Sequence, residues 1–235
     1  MALEVTGVNV RFGGMVALLD VSLQAPRGAV TGLIGANGAG KTTLFNVITG
    51  LQRPTAGTVQ LDGIDITTLA PFRRARLGLT RTFQRLELFG TLTVRENLVV
   101  AASGSAGSGP SVDEILARLQ LTDIAEQRAD ELPTGLGRLV ELGRCLAVAP
   151  KVLLLDEPAS GQTENETQVF ARVLEELAAE GMAVLLVEHD IDLVTRVCSN
   201  VVVLDMGMLL ATGTPAEISS NPAVRDAYLG AVVPA

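Results

Sequence analysis

The feature that most constrains this chain is the run Gly35-Ala36-Asn37-Gly38-Ala39-Gly40-Lys41-Thr42, which fits the pattern G-x-x-x-x-G-K-[ST] at every fixed position. Residues 29–34 before it predict a short buried strand, and residues 42–48 predict a helix that ends at Gly50. A strand, a glycine loop and a helix in this order indicate a phosphate-binding loop. The chain is therefore predicted to bind a nucleoside triphosphate.

The physical reason lies in the backbone of such a loop. Its N–H groups close around the phosphates, and the helix N-terminus adds a partial positive charge. We expect Lys41 to reach the phosphates and the Thr42 hydroxyl to hold Mg²⁺. The residues expected to contact the nucleotide here are Gly35, Asn37, Gly38, Ala39, Gly40, Lys41, Thr42 and Thr43. The alternative, a glycine-rich turn with a chance lysine, does not account for the flanking strand and helix.

Length and charge narrow the class of protein. A chain of 235 residues suits one core that carries a smaller subdomain. The formal net charge of −8 disfavours a general nucleic-acid-binding protein, which needs a basic stripe against the phosphate backbone. No apolar run approaches the roughly 20 residues that span a bilayer, and no secretory signal is visible. Docking on a membrane protein through a local patch remains compatible with this composition.

The residue patterns predict an α/β fold. Short β runs with glycine and proline between them are predicted at residues 3–10, 21–24, 29–34, 58–61 and 79–83. Helices are predicted at residues 94–102, 112–121 and 136–149, with a flexible Gly/Ser-rich loop at 103–110. After Pro150, strands at 151–155, 182–187 and 201–204 alternate with helices at 164–180 and 191–198. This alternation predicts a mainly parallel sheet wrapped by helices.

Two carboxylates follow the apolar strand that ends at Leu155. An acidic residue at the C-terminal end of a strand lies where α/β sheets bind ligands, and we expect Asp156 to hold Mg²⁺ through water, opposite Thr42. Because neighbours in a strand alternate faces, Glu157 would point elsewhere and be free to act as general base on the attacking water. The alternative is an Asp-Glu pair that caps a surface strand.

Two further residues follow predicted strands. His189, the single histidine, ends the strand at 182–187 and is expected to face the γ-phosphate if that strand neighbours the Asp156 strand. A neutral imidazole could accept a hydrogen bond from water and donate one to phosphate. Gln84 follows the strand at 79–83, where its amide could contact both metal and water or could simply face solvent.

Four features stand in this order along the chain: the glycine loop, Gln84, Leu155-Asp156-Glu157-Pro158 and His189. With this order, the chain resembles the nucleotide-binding subunit of an ABC transporter over nearly its whole length. Several motifs look more narrowly like the ATP-binding subunits of branched-chain amino acid importers. They are Arg11-Phe12-Gly13-Gly14, residues 35–50, Arg81-Thr82-Phe83-Gln84, Val187-Glu188-His189-Asp190 and Asp226-Ala227-Tyr228-Leu229-Gly230.

This resemblance implies a single ABC ATPase domain over residues 1–235. The implied fold is a P-loop NTPase with a mainly parallel core and an N-terminal antiparallel β subdomain (1–84 and 150–235), and a helical subdomain inserted at 85–149. It also implies an ATPase that uses ATP and Mg²⁺, lies at the cytoplasmic face of the membrane and drives integral permease subunits. An adenine-stacking aromatic falls on Phe12, although a phenylalanine packed under the sheet is an equal interpretation.

The implied partners include a second ATPase subunit, in a heterodimer or a homodimer, and indirectly a substrate-binding protein. Nucleic acid is not expected as a partner. The family groove that receives a permease helix falls near residues 85–91, just after Gln84. The transported substrate is not encoded in this chain: branched-chain amino acids come from the resemblance alone, and similar subunits serve urea, short amides or other amino acids.

Two places depart from the family pattern. The signature, normally Leu-Ser-Gly-Gly-Gln, falls on Leu132-Pro133-Thr134-Gly135-Leu136, so a hydroxyl that grips the opposite subunit's nucleotide is lost unless Thr134 replaces it. The loop that normally ends Ser-Ala-Leu-Asp reads Ser160-Gly161-Gln162-Thr163, so Thr163 replaces the coupling aspartate. We therefore expect a heterodimer in which one of two composite sites is impaired.

Two other classes of protein share parts of this pattern. A soluble ABC-type ATPase of DNA repair or translation would have the same site residues, but such chains carry coiled coils, tandem cassettes or basic surfaces. A regulatory module that holds ATP without turnover is suggested by the altered signature and disfavoured by the intact Glu157 and His189.

Overall fold

The structure, a computed structural model, describes residues 2–104 and 109–229. The predicted loop at 103–110 includes residues 105–108, and the motif at 226–230 includes Gly230; these positions lie outside the described residues. Across the described ranges, the helices are too short or too polar to cross a bilayer.

The strands form two sheets. Their bounds are β1 Leu3–Phe12, β2 Met15–Ala25, β3 Ala29–Ile34, β4 Ala56–Leu61, β5 Ile64–Asp65, β6 Leu79–Arg81, β7 Val152–Asp156, β8 Ala183–Val187, β9 Asn200–Asp205 and β10 Met208–Gly213. The first sheet has the order β2-β1-β4-β5 and is antiparallel throughout. The second has the order β10-β9-β3-β8-β7-β6, in which only the β9–β10 pair is antiparallel.

Helices cover the parallel sheet and form the inserted segment. Their bounds are α1 Lys41–Thr49, α2 Pro71–Arg76, α3 Val94–Ala102, α4 Val112–Arg118, α5 Thr134–Leu146, α6 Glu164–Ala179, α7 Ile191–Val197, α8 Pro215–Ser220 and α9 Pro222–Leu229. Two 3₁₀ turns, Thr122–Ile124 and Ala129–Glu131, lie between α4 and α5. The predicted α/β fold, with an antiparallel β sheet and an inserted group of helices, is confirmed.

The core has two layers, one on each face of the parallel sheet. Alternate residues of a strand point to opposite faces, so in β7 Leu153 and Leu155 pack in the helical layer while Val152 and Leu154 pack against the antiparallel sheet. All five residues of β7 and of β8 are buried, as expected for strands covered on both faces. These buried runs explain why the sequence predicts both strands well.

The order of the strands brings the predicted site residues together. Strand β8 lies between β3 and β7, and all three run in parallel. The glycine loop after β3, Asp156 in β7 and His189 after β8 therefore meet at one edge of the sheet. The prediction that the strand before His189 neighbours the strand of Asp156 is confirmed.

Several predicted boundaries differ from the structure. The helix predicted at 112–121 ends at Arg118, because Gln120 takes a left-handed conformation (φ 56°) that no helix continues. The helix predicted at 136–149 runs over Thr134–Leu146. The strand predicted at 79–83 stops at Arg81. The sequence prediction lacks α2, β5, β10, α8 and α9.

A buried arginine closes the C-terminus of α1. Gly50 caps the helix with φ 83°, and a β-carbon there would lie 2.7 Å from Arg74 Nε. The Arg74 guanidinium, 2% exposed, donates to the carbonyls of Val47, Ile48, Thr67 and Leu69 at 2.7–2.9 Å. Arg74 thereby satisfies last-turn carbonyls that a helix leaves unpaired, and it fixes the helix that carries the glycine loop.

Candidate active site

The glycine loop needs glycine at two positions. A β-carbon on Gly35 would lie 2.3 Å from the Leu204 carbonyl oxygen of β9, so this residue packs directly on the neighbouring strand. Gly40 has φ 106°, a left-handed backbone from which α1 starts. No side chain caps that N-terminus, whereas α3, α4, α6, α7 and α8 each have a side-chain cap. The first N–H groups of α1 therefore have no capping side chain and can bind an anion.

Lys41 lies inside the loop. The residue is 7% exposed. Its ammonium donates to the carbonyls of Gly35 (2.6 Å) and Ala36 (3.1 Å). Burial lowers the pKa of Lys41, and the nearby charges of Glu157 and Asp156 act in the opposite direction. Thr42 is exposed and Thr43 is half-buried in the first turn of α1, and Asn37 and Gly38 are exposed in the loop.

Asp156 is buried at the end of β7 and is paired with an arginine. Arg81 donates to Asp156 Oδ2 at 2.8 Å, and both side chains are less than a tenth exposed. The same guanidinium donates to Asn46 Oδ1 of α1 at 2.6 Å and lies over the rings of Phe45 and Phe83. This network joins β6, β7 and α1 behind the glycine loop, so the carboxylate has a fixed orientation.

Two side chains converge on Glu157. His189 Nε2 lies 2.9 Å from Glu157 Oε1, and Gln84 Nε2 donates to Glu157 Oε2 at 3.2 Å. The Glu157 side chain is 22% exposed and His189 is 43% exposed, so the cluster opens to solvent. Three residues from three separate segments thus meet around one carboxylate, an arrangement suited to orienting a water and accepting its proton.

The backbone at Glu157 differs from the sequence expectation. The strand ends at Asp156, and Glu157 has φ 49°, a left-handed conformation that costs about 1–3 kcal/mol for a residue other than glycine. Its N–H donates to the Val187 carbonyl at 2.9 Å, which holds this turn against the end of β8. The prediction that strand alternation separates Glu157 from Asp156 is therefore wrong: the turn separates them.

A buried acid supports this cluster from behind. Glu188, 4% exposed, accepts hydrogen bonds from the N–H groups of Ala159 (2.7 Å) and His189 (3.1 Å). Burial raises the pKa of Glu188, while these backbone donors lower it. Glu188 thus links the loop after Glu157, through Ala159, to the backbone of His189.

The remaining predicted positions are spread around this centre. Phe12 lies at the end of β1 and is 46% exposed, which disfavours packing under the sheet. Pro133 is the N-cap of α5, whose N-terminus has no side-chain cap, and Thr134 is exposed beside it. Thr163 caps α6: its N–H and hydroxyl donate to Glu166 Oε2 at 2.6 and 2.9 Å.

Sequence reasoning missed Arg81, Asn46 and Glu188 as supports of the site. Arg81 appears only within the motif that resembles the family, and Asn46 carries no signal of its own. A charged residue directly after the wholly apolar run of β8 is the one cue that singles out Glu188.

Comparisons with known proteins find relatives of this chain over nearly its whole length. The ABC transporter family matches residues 18–160, and a second family, described as a branched-chain amino acid ATP-binding cassette transporter, matches residues 208–233. The high-affinity branched-chain amino acid transport ATP-binding protein BraF of Pseudomonas aeruginosa is 39% identical over 97% of each chain. LivG of Escherichia coli K12, described in the same words, is 38% identical over 97% of each chain. The solved ADP conformation of an ATP-binding cassette of an ABC transporter is 32% identical, with a TM-score of 0.88 over 97% of this chain and 98% of that one.

Proposed function

This chain belongs to the ABC transporter family of ATP-binding subunits, and from that premise we propose how its residues bind and hydrolyse ATP. It is a nucleotide-binding ATPase that energises import and works with membrane permease subunits. The observation that carries the proposal is the convergence of His189 and Gln84 on Glu157, at the sheet edge where the glycine loop also lies.

The phosphates of ATP bind in the glycine loop. Its backbone N–H groups and the uncapped start of α1 surround them, and Lys41 turns its ammonium to the β- and γ-phosphates. Phe12, exposed at the end of β1, stacks on the adenine.

The oxygen donors of the site fit Mg²⁺. This ion takes oxygen ligands and is usually held by one or two carboxylates together with substrate phosphates. Asp156, Thr42 and Gln84 supply a carboxylate, a hydroxyl and an amide oxygen. Among residues 2–104 and 109–229, no cluster of three His, Cys, Asp or Glu side chains could hold a metal by itself, in keeping with an ion shared with phosphates. When bound, Mg²⁺ neutralises charge on the β- and γ-phosphates.

Glu157 is the general base. It accepts a proton from the attacking water, while Gln84 and His189 hold its two carboxylate oxygens in place. A neutral imidazole carries one N–H, so we propose that His189 gives it to Glu157 in this structure and to the γ-phosphate once ATP is bound. The buried Glu188 keeps the backbone of His189 in register with the loop after Glu157.

A second ATPase subunit completes each nucleotide site. We propose a heterodimer, because this chain's own pocket is complete whereas the groups that it lends to its partner are altered. Pro133 has no hydroxyl, and the hydroxyl of Thr163 is bonded to Glu166 within its own chain. The partner's pocket, which receives these groups, is the impaired one. In a homodimer, by contrast, the two sites would be equal.

The permease docks beside the inserted helices. A groove of about 910 Å³ lies between them and the sheet, lined in part by Arg76, Phe83, Glu87 and Arg144. The Arg144 guanidinium also lies 4.8 Å from the ring centre of Phe89, which is 46% exposed. We propose that this groove receives a short permease helix, which places the chain peripherally at the cytoplasmic face of the membrane.

Reversing the charge at Arg85 together with Phe89→Ala is expected to abolish transport and leave nucleotide binding intact, because both side chains are exposed and neither belongs to the glycine loop. Transport in proteoliposomes and binding of a fluorescent ATP analogue measure the two effects. The matched control is Arg172→Glu with Val99→Ala, an exposed pair on α6 and α3 that lies outside residues 85–91. Loss of ATP binding in the first variant would show that one of its residues belongs to the core.

We propose branched-chain amino acids as the transported substrate, supported by the names of the relatives BraF and LivG. In the reconstituted transporter with its substrate-binding protein, leucine, isoleucine and valine are expected to stimulate ATP hydrolysis, and urea and acetamide are not. Stimulation by urea or acetamide alone would reassign the substrate. Hydrolysis that responds to no permease or substrate would contradict coupling to import.

A further inference from the structure

The segment between β6 and α3 has an unusual pattern of hydrogen bonds. We call residues 83–89 the connecting segment; it contains Gln84 and no regular secondary structure. Six of its peptide groups bond side chains of α5 and α3. The bonds run from Arg138 Nη1 to the Phe83 carbonyl (2.7 Å), from Arg138 Nη2 to the Gln84 carbonyl, from Glu87 N to Glu141 Oε1 (2.9 Å), from Arg144 Nη1 to the Glu87 carbonyl, from Phe89 N to Asn97 Oδ1 (3.0 Å) and from Asn97 Nδ2 to the Phe89 carbonyl (3.1 Å).

The central contacts come from one buried ion pair. Arg138 Nη1 donates to Glu141 Oε2 at 2.7 Å, and the two side chains are 7% and 5% exposed. They stand three residues apart on α5 and therefore share one face of the helix. The planar guanidinium contacts two successive carbonyls of the connecting segment, a geometry that an ammonium could not reproduce. Glu141 uses its other oxygen for the N–H of Glu87.

The same face of α5 approaches the connecting segment closely. A β-carbon on Gly137 would lie 2.7 Å from Leu86 Cδ2, so Leu86 packs directly on the helix backbone. Packing at Gly137 and hydrogen bonding at Arg138 thus fix the same segment to the same helix. When α5 shifts, the backbone of Gln84 must shift with it or lose these contacts.

Gln84 transmits this position to the carboxylate. Its carbonyl is held by Arg138, and its side chain donates to Glu157 Oε2 at 3.2 Å. A chain of contacts therefore leads from α5, which begins at the altered signature, to the proposed general base. The distance from Gln84 to Glu157 depends on where α5 stands.

We propose that Arg138, with Glu141, is a positioning residue for ATP hydrolysis: it fixes the backbone of Gln84 so that the Gln84 amide meets Glu157. This inference rests on the proposed roles of Glu157 and Gln84. Arg138 donates to the backbone of Phe83 and Gln84, so its effect on Glu157 passes through this backbone and the Gln84 side chain.

A double-mutant cycle tests this inference in the reconstituted transporter. Arg138→Gln is expected to lower kcat about tenfold and to change KM for ATP by less than about twofold, because a displaced catalytic group costs rate more than binding. In a Gln84→Ala background the same change is expected to lower kcat by less than about twofold, since the group that it positions is already gone. Arg118→Gln, at an arginine paired with Glu176 and Glu180 outside this contact, is the matched control and should leave kcat unchanged.

Equal losses of kcat in both backgrounds, or an unchanged kcat, would overturn the positioning role. If Arg138→Gln does not fold, Glu141→Gln takes its place in the cycle, because it keeps an oxygen for the N–H of Glu87 while removing the ion pair. Wild-type protein that neither binds nor hydrolyses ATP would overturn the proposed function and this inference together. If the wild-type protein is active and Arg138→Gln lowers kcat by the same factor in the wild-type and Gln84→Ala backgrounds, this inference alone is overturned.

Discussion

Replacing Glu157 by glutamine is expected to lower ATP turnover by about 100- to 10,000-fold, the range that general-base catalysis contributes. Glutamine has nearly the same shape and still offers one oxygen to Gln84 or His189, but it does not accept a proton from water. Nucleotide binding should persist, because Lys41 and the glycine loop are unchanged. Phosphate release by the reconstituted transporter measures turnover, and a fluorescent ATP analogue measures binding.

In the proposed heterodimer, the loss of the general base should lower turnover much more in this subunit than in the second ATPase subunit. Glu157→Gln should remove nearly all turnover, whereas the corresponding change in the second ATPase subunit should have a small effect, because that subunit's pocket receives the altered signature. Glu114→Gln is the matched control: Glu114 sits in the capping box of α4, where glutamine serves equally well. Near-wild-type hydrolysis with Glu157→Gln would refute the assignment of this pocket as the active one.

Replacing Arg74 by alanine is expected to destabilise the protein by about 3–5 kcal/mol, because a buried carbonyl that loses its donor costs about 1–3 kcal/mol. The carbonyls of Ile48, Thr67 and Leu69 lose a charged donor, while that of Val47 keeps its bond from Gly50. For a chain of this size the melting temperature should fall by about 6–20 °C. Circular dichroism on heating measures the shift.

Arg76→Ala provides the control on the same helix. Arg76 is exposed and lies over the ring of Phe72, so its loss should change stability by less than about 0.5 kcal/mol. The melting temperature of Arg74→Lys should lie between those of Arg74→Ala and Arg76→Ala, since an ammonium keeps the charge but cannot reach all of the carbonyls. A melting temperature for Arg74→Ala equal to that of Arg76→Ala would show that Arg74 is dispensable for the fold.

Local patterns in the sequence predicted the centre of the site well. The glycine loop is encoded in consecutive residues, and apolar runs, Val152 to Leu155 and the whole of β8, precede Asp156 and Glu188. Parallel strands end at the same edge of a sheet, so carboxylate and imidazole were expected near each other. Their 2.9 Å separation follows from the pairing of β7 with β8.

The contacts that support the site could not be predicted in this way. Arg81 and Asp156 lie 75 residues apart, Arg74 and Val47 lie 27 apart, and no periodicity relates either pair. The turn at Glu157 was also missed, since a left-handed backbone at glutamate has no signal in residue type.

By itself, the sequence determined that this chain folds as an α/β nucleotide-binding domain with a phosphate loop and carboxylates at strand ends, because hydrophobic periodicity and glycine positions act over a few neighbouring residues. Only the tertiary structure decided which side chains orient those groups: Arg81 at Asp156, Glu188 behind His189, and Arg138 at the backbone of Gln84. The physical reason is that a buried charged group takes whatever partner the packed elements bring within hydrogen-bond reach, and that partner is set by the fold.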